Sequence, residues 1–153
     1  MKKTLSLIVI TLGIGITSFA LPMNTVNGNG VSNEKLVVPA AVKAALSKKY
    51  PAATKVTWEK EKGNYEANWG GKSGEDHSVM FTPSGQFIEE VNAITTAQLP
   101  ASVPTYVKTH YKGSKITEAG KVTDAKGIIT YEAEVNGKDV IFDETGNFVK
   151  VEN

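Results

Sequence analysis

"NYEANW" occupies Asn64–Trp69, and "TYEAEV" occupies residues 130–135, some 66 positions later. In the first, Tyr65, Ala67 and Trp69 alternate with Asn64, Glu66 and Asn68. The second alternates in the same way, with Tyr131 and Val135 on the apolar side. Period two is the mark of a half-buried strand. The reading therefore turns Tyr65 and Tyr131 inward. It leaves Glu66 and Glu132 on a polar, solvent-facing side, where Glu→Ala should be nearly neutral.

The likeness continues on both sides of this phrase. "VPAAVKAALSKKYP" (38–51) faces "LPASVPTYVKTHYK" (99–112), and "VMFTPSGQFIEEV" (79–91) faces "VIFDETGNFVKVE" (140–152). Matching segments in the same order at similar spacing signal an internal repeat. Corresponding pairs are Tyr50 with Tyr111, Tyr65 with Tyr131, Phe81 with Phe142, and Phe87 with Phe148.

Each copy opens with a helix. Val38, Val42, Ala45, Leu46 and Tyr50 recur at helical intervals, as do Leu99, Val103, Tyr106, Val107 and Tyr111. Pro39 suits a first turn. Pro104 delays the second helix to about Ser102, which reads as its N-cap. Strands follow at about 56–59, 64–69, 79–81 and 87–91, and again at 116–122, 129–135, 138–142 and 148–151. Gly63-Asn64, Pro83-Ser84-Gly85 and Asn136-Gly137 supply turn chemistry between them. The fold class is α+β: two tandem modules, about 34–92 and 93–153, each a helix followed by an antiparallel meander of about four strands. About 60 residues is marginal alone. The preferred arrangement is one continuous sheet of about eight strands with both helices on one face. Two lobes joined at 93–98 is the alternative.

The start of the chain reads as an address. Lys2 and Lys3 precede an apolar run over residues 5–16, and Ser18-Phe19-Ala20 offers a cleavage site after Ala20. This is the grammar of a bacterial signal peptide over 1–20. The run is shorter than the ~20 residues a spanning helix needs. Residues 21–33, "LPMNTVNGNGVSN", read as a flexible linker. The folded domain is then 34–153, periplasmic or secreted, with no membrane association after signal removal. The chain has no cysteine, so its stability must come from packing.

The chain holds 17 Lys+Arg against 16 Asp+Glu, and all 17 are lysines. Without arginine or a basic stripe, nucleic acid is not an expected partner.

The helix starts and the aromatic-flanked turns in both copies resemble the PepSY-like, beta-lactamase-inhibitor-like family. The resemblance covers about 115 residues. It lies in element order and turn signatures rather than in catalytic residues. It implies tandem modules that pack helices on an antiparallel sheet. It also implies binding, extending to inhibition, of another exported protein. No family contact residue maps onto a defined position.

Catalytic chemistry is not evident. His77 lies beside Glu75 and Asp76, a weak metal set because adjacent strand residues point apart. His110 reads as an exposed helix-end residue. The repeated Glu66 and Glu132 fit a shared strand better than a catalytic pair. "DETGN" (143–147) lacks the ligand spacing of a calcium loop. No catalytic, cofactor or metal residue is therefore assigned, and no enzyme activity or cofactor is expected. Core packing accounts for most of Trp58, Tyr65, Trp69, Phe81 and Phe87. Met80, Ile88, Ile141 and Val149 have the opposite parity to the neighbouring phenylalanines. They form a candidate binding face for an exported protein or peptide. The alternative is a periplasmic small-molecule or metal-binding protein built on Trp58, Trp69 and the His77 loop.

Overall fold

The computed structural model describes residues 36–152. The signal-peptide and linker readings, 1–20 and 21–33, lie outside the described residues. The chain runs α1 (Ala40–Lys49), β1 (Thr57–Glu61), β2 (Asn64–Trp69), β3 (His77–Phe81) and β4 (Phe87–Ala93). A 3-10 turn (Thr96–Gln98) and α2 (Ser102–His110) follow. The chain ends in β5 (Ile116–Asp124), β6 (Ile129–Val135), β7 (Lys138–Asp143) and β8 (Phe148–Glu152). All eight strands form one antiparallel sheet in sequence order. The continuous sheet is the observed arrangement. β4 pairs directly with β5 through Val91 opposite Val122.

Both helices lie on one face, here called the helix face. α1 buries Val42 and Leu46, with Val38, on Tyr65, Ala67, Val79 and Phe81. α2 buries Val103 and Val107, with Leu99, on Ala133, Val135, Val140 and Phe142. The four-residue spacing of each apolar stripe is one helical turn, which keeps the stripe over the sheet. Tyr50 and Tyr111 cap the two helices alike, their backbone N–H groups donating to Leu46 O and Val107 O.

Proline placement follows the backbone donors. Pro39 is the N-cap of α1, and its carbonyl accepts from the N–H groups of Val42 and Lys43. Pro104 falls within the first turn of α2, where an N–H has no intrahelical partner to lose. Ser102 is not the N-cap that the sequence suggested. Ala101 holds that position, and the Ser102 hydroxyl donates instead to Thr145 O across the fold (3.1 Å).

That contact ties helix start to hairpin. In the β3–β4 turn, Thr82 N donates to Gln86 O and Gly85 N to Thr82 O. In the β7–β8 turn, Asp143 N donates to Asn147 O and Gly146 N to Asp143 O. Gly85 and Gly146 both sit at φ +83. A Cβ there would lie 2.7 Å from Ala41 O in α1 and 2.1 Å from Ser102 Oγ in α2. Glycine lets each turn tuck under the start of its helix. The "DETGN" carboxylate is used by its own turn: Asp143 Oδ1 accepts from the N–H groups of Thr145 (2.9 Å) and Asn147 (2.8 Å). These bonds hold its pKa down at about 2, the Thr145 hydroxyl contributing most.

Candidate functional site

Opposite the helices lies a second sheet face, here called the open face. No helical residue belongs to its apolar cluster, which joins Met80, Val91 and Val122 with half-buried Ile88. Strand register assigns the rest. Glu59 and Glu61 on β1 pair with Glu66 and Asn64 on β2. Glu66 pairs with Met80 on β3, and Met80 with Glu89 on β4. Glu89 pairs with Asp124 on β5. Glu132 on β6 pairs with Ile141 on β7, and Ile141 with Lys150 on β8, beside Asp139 opposite Glu152.

The sheet curls toward this face. β4 and β8 are four ladder spacings apart, about 19 Å on a flat sheet. Yet Glu89 on β4 and Glu152 on β8 line one small void with Val122, Glu132 and Lys150. Two bulges in equivalent places accompany the curl. One makes Ile88 the extra residue between Met80 and Phe81 pairings, and the other does the same for Val149. Bulges sharpen local bending and twist.

Curvature overturns one sequence expectation. Tyr65 does face the helices and is buried, and Tyr131 is half-buried there. Glu66 and Glu132 do point the other way, but they are 4 % exposed rather than solvated. Glu89 is 3 % exposed. On a flat sheet the open face would be wet; on a concave one, neighbouring strands shield its floor. The solvent exposure on which the near-neutral Glu→Ala expectation rested is therefore absent at both positions.

The electrostatics of the floor follow. Burial raises Glu66 to about 7, opposed by the hydrogen bond that the Ser78 hydroxyl donates to its Oε1. Burial likewise raises Glu89 to about 7, helped by the charges of Asp124, Glu152 and Glu61 and opposed by Lys150. Glu132 is pushed well above the usual carboxylate range, first by burial and then by Asp139, Glu89, Glu152 and Glu66. Asp139 rises to about 6, first by burial and then through Glu134. The halves differ instructively here. Where the first half has Ser78 to donate to a glutamate, the second has Asp139 to repel one. Where the second half has Lys150, the first has Glu89. Lys150 pairs with Glu152. Glu89 Oε1 and Glu132 Oε2 are buried without a hydrogen-bond partner among the described residues.

The four residues of the expected binding face are placed unevenly. Met80 is fully buried, Ile141 is 3 % exposed, Ile88 is half-buried, and Val149 is 50 % exposed. The first two form floor; the bulge residues reach the rim. The buried acids were the residues missed. The available signal, a glutamate repeated between an inward tyrosine and an inward alanine in both copies, marks Glu66 and Glu132 but not their burial.

A second concavity lies on the helix face at the end of α1. Its volume is about 870 Å³, and Tyr50, Trp69, His77, Glu90 and Lys49 are among its walls. Trp69 stacks on His77 (ring centroids 5.4 Å) and touches Tyr50 (5.3 Å). The Tyr50 hydroxyl donates to Glu90, and His77 Nδ1 bonds Asn92 Oδ1 at 2.7 Å. Trp58 packs into the α1 core and does not join this site. Among the described residues no group of three or more His, Asp or Glu is placed to hold a metal ion. His110 is exposed at the end of α2, stacked on Tyr106 at 3.9 Å. No described helix is long and apolar enough to cross a membrane.

Comparison with known proteins gives a consistent picture. The family model described as "Putative beta-lactamase-inhibitor-like, PepSY-like" matches residues 26–89 and 70–150. Comparison with curated proteins finds no match. Among solved structures, a DUF2874 family protein from Bacteroides uniformis is 26% identical with a TM-score of 0.65, over 75% of this chain and 88% of that one. A protein described as a putative periplasmic protein from Bacteroides eggerthii is 22% identical with a TM-score of 0.66, over 76% and 89%. A BLIP-like protein from Bacteroides fragilis is 22% identical with a TM-score of 0.59, over 77% and 87%.

Proposed function

The chain belongs to the PepSY-like, beta-lactamase-inhibitor-like family, and from that premise we propose that it is an exported, non-enzymatic binding module. It is built from two copies of one helix-then-four-strand unit joined edge to edge. It acts in the periplasm, where its signal peptide directs it. It holds another exported protein or peptide against the open face, with Ile88 and Val149 at the rim and Met80 and Ile141 in the floor.

The observation that carries this reading is the concave sheet face that no described helix covers. A concave surface matches a convex segment of a partner, and sheet rigidity keeps the ordering cost of binding low. The periplasmic description of a fold relative supports the location.

Neighbouring residues of β1 provide the test. Glu59 and Lys60 are both exposed but face opposite sides of the sheet. A photo-crosslinking residue at position 59 should capture a defined exported protein from periplasmic or culture extracts, and one at position 60 should not. Capture only from position 60, or from neither, removes the reading.

A second reading, small-molecule binding, rests on the cavity beside Trp69 and His77, whose volume suits such a ligand. Tryptophan emission should then change on titration with aromatic or amphipathic ligands. A flat response across them eliminates it.

A further inference from the structure

We propose that the open face takes a basic segment of its partner, with lysine or arginine side chains seated between Glu61 and Asp139 above the buried Glu66, Glu89 and Glu132. This rests on the binding reading above and specifies the chemistry of its occupant.

The first argument is how charge is sorted. Acids and bases are nearly equal in number over the whole chain. Strand register nevertheless sends Lys60, Lys121 and Lys138 to the helix face. Among the described strand residues, Lys150 alone joins the acids on the open face. Lys150 is already paired with Glu152. The concavity thus carries a large excess of acids over its single lysine, and a curved, low-dielectric wall focuses that field on an approaching cation.

The second argument is independent of charge counting. Glu132 and Glu89 each keep one carboxylate oxygen buried and without a hydrogen-bond partner, and both residues line the void at the bottom of the concavity. A buried carboxylate lacking donors is costly. An ammonium or guanidinium group supplies N–H donors and opposite charge together. The acids are spread over β1, β2, β4, β6, β7 and β8 rather than gathered for one ion, and no metal-binding group is found among the described residues. Separate cationic side chains, spaced along a peptide, fit that spread. Their arrival would favour the ionised forms of Glu66 and Glu89, so binding near neutral pH should release protons.

Calorimetry on residues 21–153 with a hexa-arginine peptide tests this, with hexa-glutamate and calcium chloride as comparison probes. Hexa-arginine should bind at low salt and hexa-glutamate should not. The measured heat at pH 7 should differ between phosphate and Tris buffers, because released protons are taken up by the buffer. Glu61→Lys with Asp139→Lys should weaken binding at least tenfold. Glu144→Lys with Glu75→Lys makes the same net-charge change away from the face and should alter it less than threefold. Glu89→Gln with Glu132→Gln, nearly isosteric and so safe for folding, should weaken binding and reduce the buffer dependence, Glu66 remaining as a proton source. Equal losses for the two charge-reversed pairs would show only bulk attraction and overturn the proposal. Tight calcium binding that displaces the peptide would overturn it in favour of a divalent-cation site. If position 59 still captures a partner while hexa-arginine fails to bind, this proposal falls and the binding reading stands.

Discussion

Phe81→Ala and Phe142→Ala should each destabilise the protein by about 4 kcal/mol, the cost of removing a large aromatic from a core that cannot close over the gap. Both side chains are fully buried. Each lies opposite a tyrosine, Phe81 beside Tyr65 and Phe142 beside Tyr131. Each meets a second phenylalanine edge to face, with ring centroids 6.2 Å apart at Phe87 and 6.4 Å at Phe148. Each also closes the floor under its helix, so the two losses should be nearly equal. In thermal melts this is a fall of roughly 15 °C for a domain of this size. Phe148→Ala, at an exposed position stacked on Tyr106, should cost about 1 kcal/mol. A change of less than 1 kcal/mol at Phe81 or Phe142 would mean that the helices do not seal the sheet as described.

The second large effect is on pH. Glu66 and Glu89 have folded-state pKa values raised to about 7, against about 4.5 in the unfolded chain. The folded state therefore holds more protons than the unfolded state between those values. Stability must fall as pH rises through this window, and Glu132, held well above the usual carboxylate range by burial, adds to the fall. The same linkage run downward predicts a protein more stable at pH 5 than at pH 8, by about 3 kcal/mol from the two groups together once partial solvent relaxation is allowed. The melting temperature should move by about 10 °C. Asp143, with its lowered pKa, acts only below about 4 and leaves this window untouched. Glu132→Gln should raise stability at pH 8 and flatten the pH profile. A protein more stable at pH 8 than at pH 5, or an unchanged profile in the Gln variant, would show that these carboxyls are solvated.

Most of the fold was legible because it is written in local periodicity. The four-residue stripes at Val38, Val42 and Leu46, and at Leu99, Val103 and Val107, could only be helix faces. The alternations at Tyr65 and Tyr131 fixed which side of the sheet those stripes cover. The burial of Glu66, Glu89 and Glu132 was not legible. Alternation tells on which face a side chain stands but not whether that face is flat or curled. The curl arises from the summed twist of eight strands and from bulges at Ile88 and Val149, which are long-range properties of the sheet. The Ser102 cap failed for a related reason, since its hydroxyl found a partner some 43 residues away.

The strand order has a consequence for how the chain reaches this shape. Every strand pairs with its sequence neighbour, so most pairings arise by zipping up a hairpin. Low contact order of this kind favours rapid folding even in a sheet-rich protein. The β4–β5 seam is the exception, because residues 94–115, with the 3-10 turn and α2, separate its two strands. Closing that loop costs about 1.3 kcal/mol more in chain entropy than closing a five-residue hairpin turn. Entropy thus sets the seam apart from the other six pairings. The same seam is what makes one concave surface out of two hairpin stacks, so the face exists as a whole only once its slowest junction has closed.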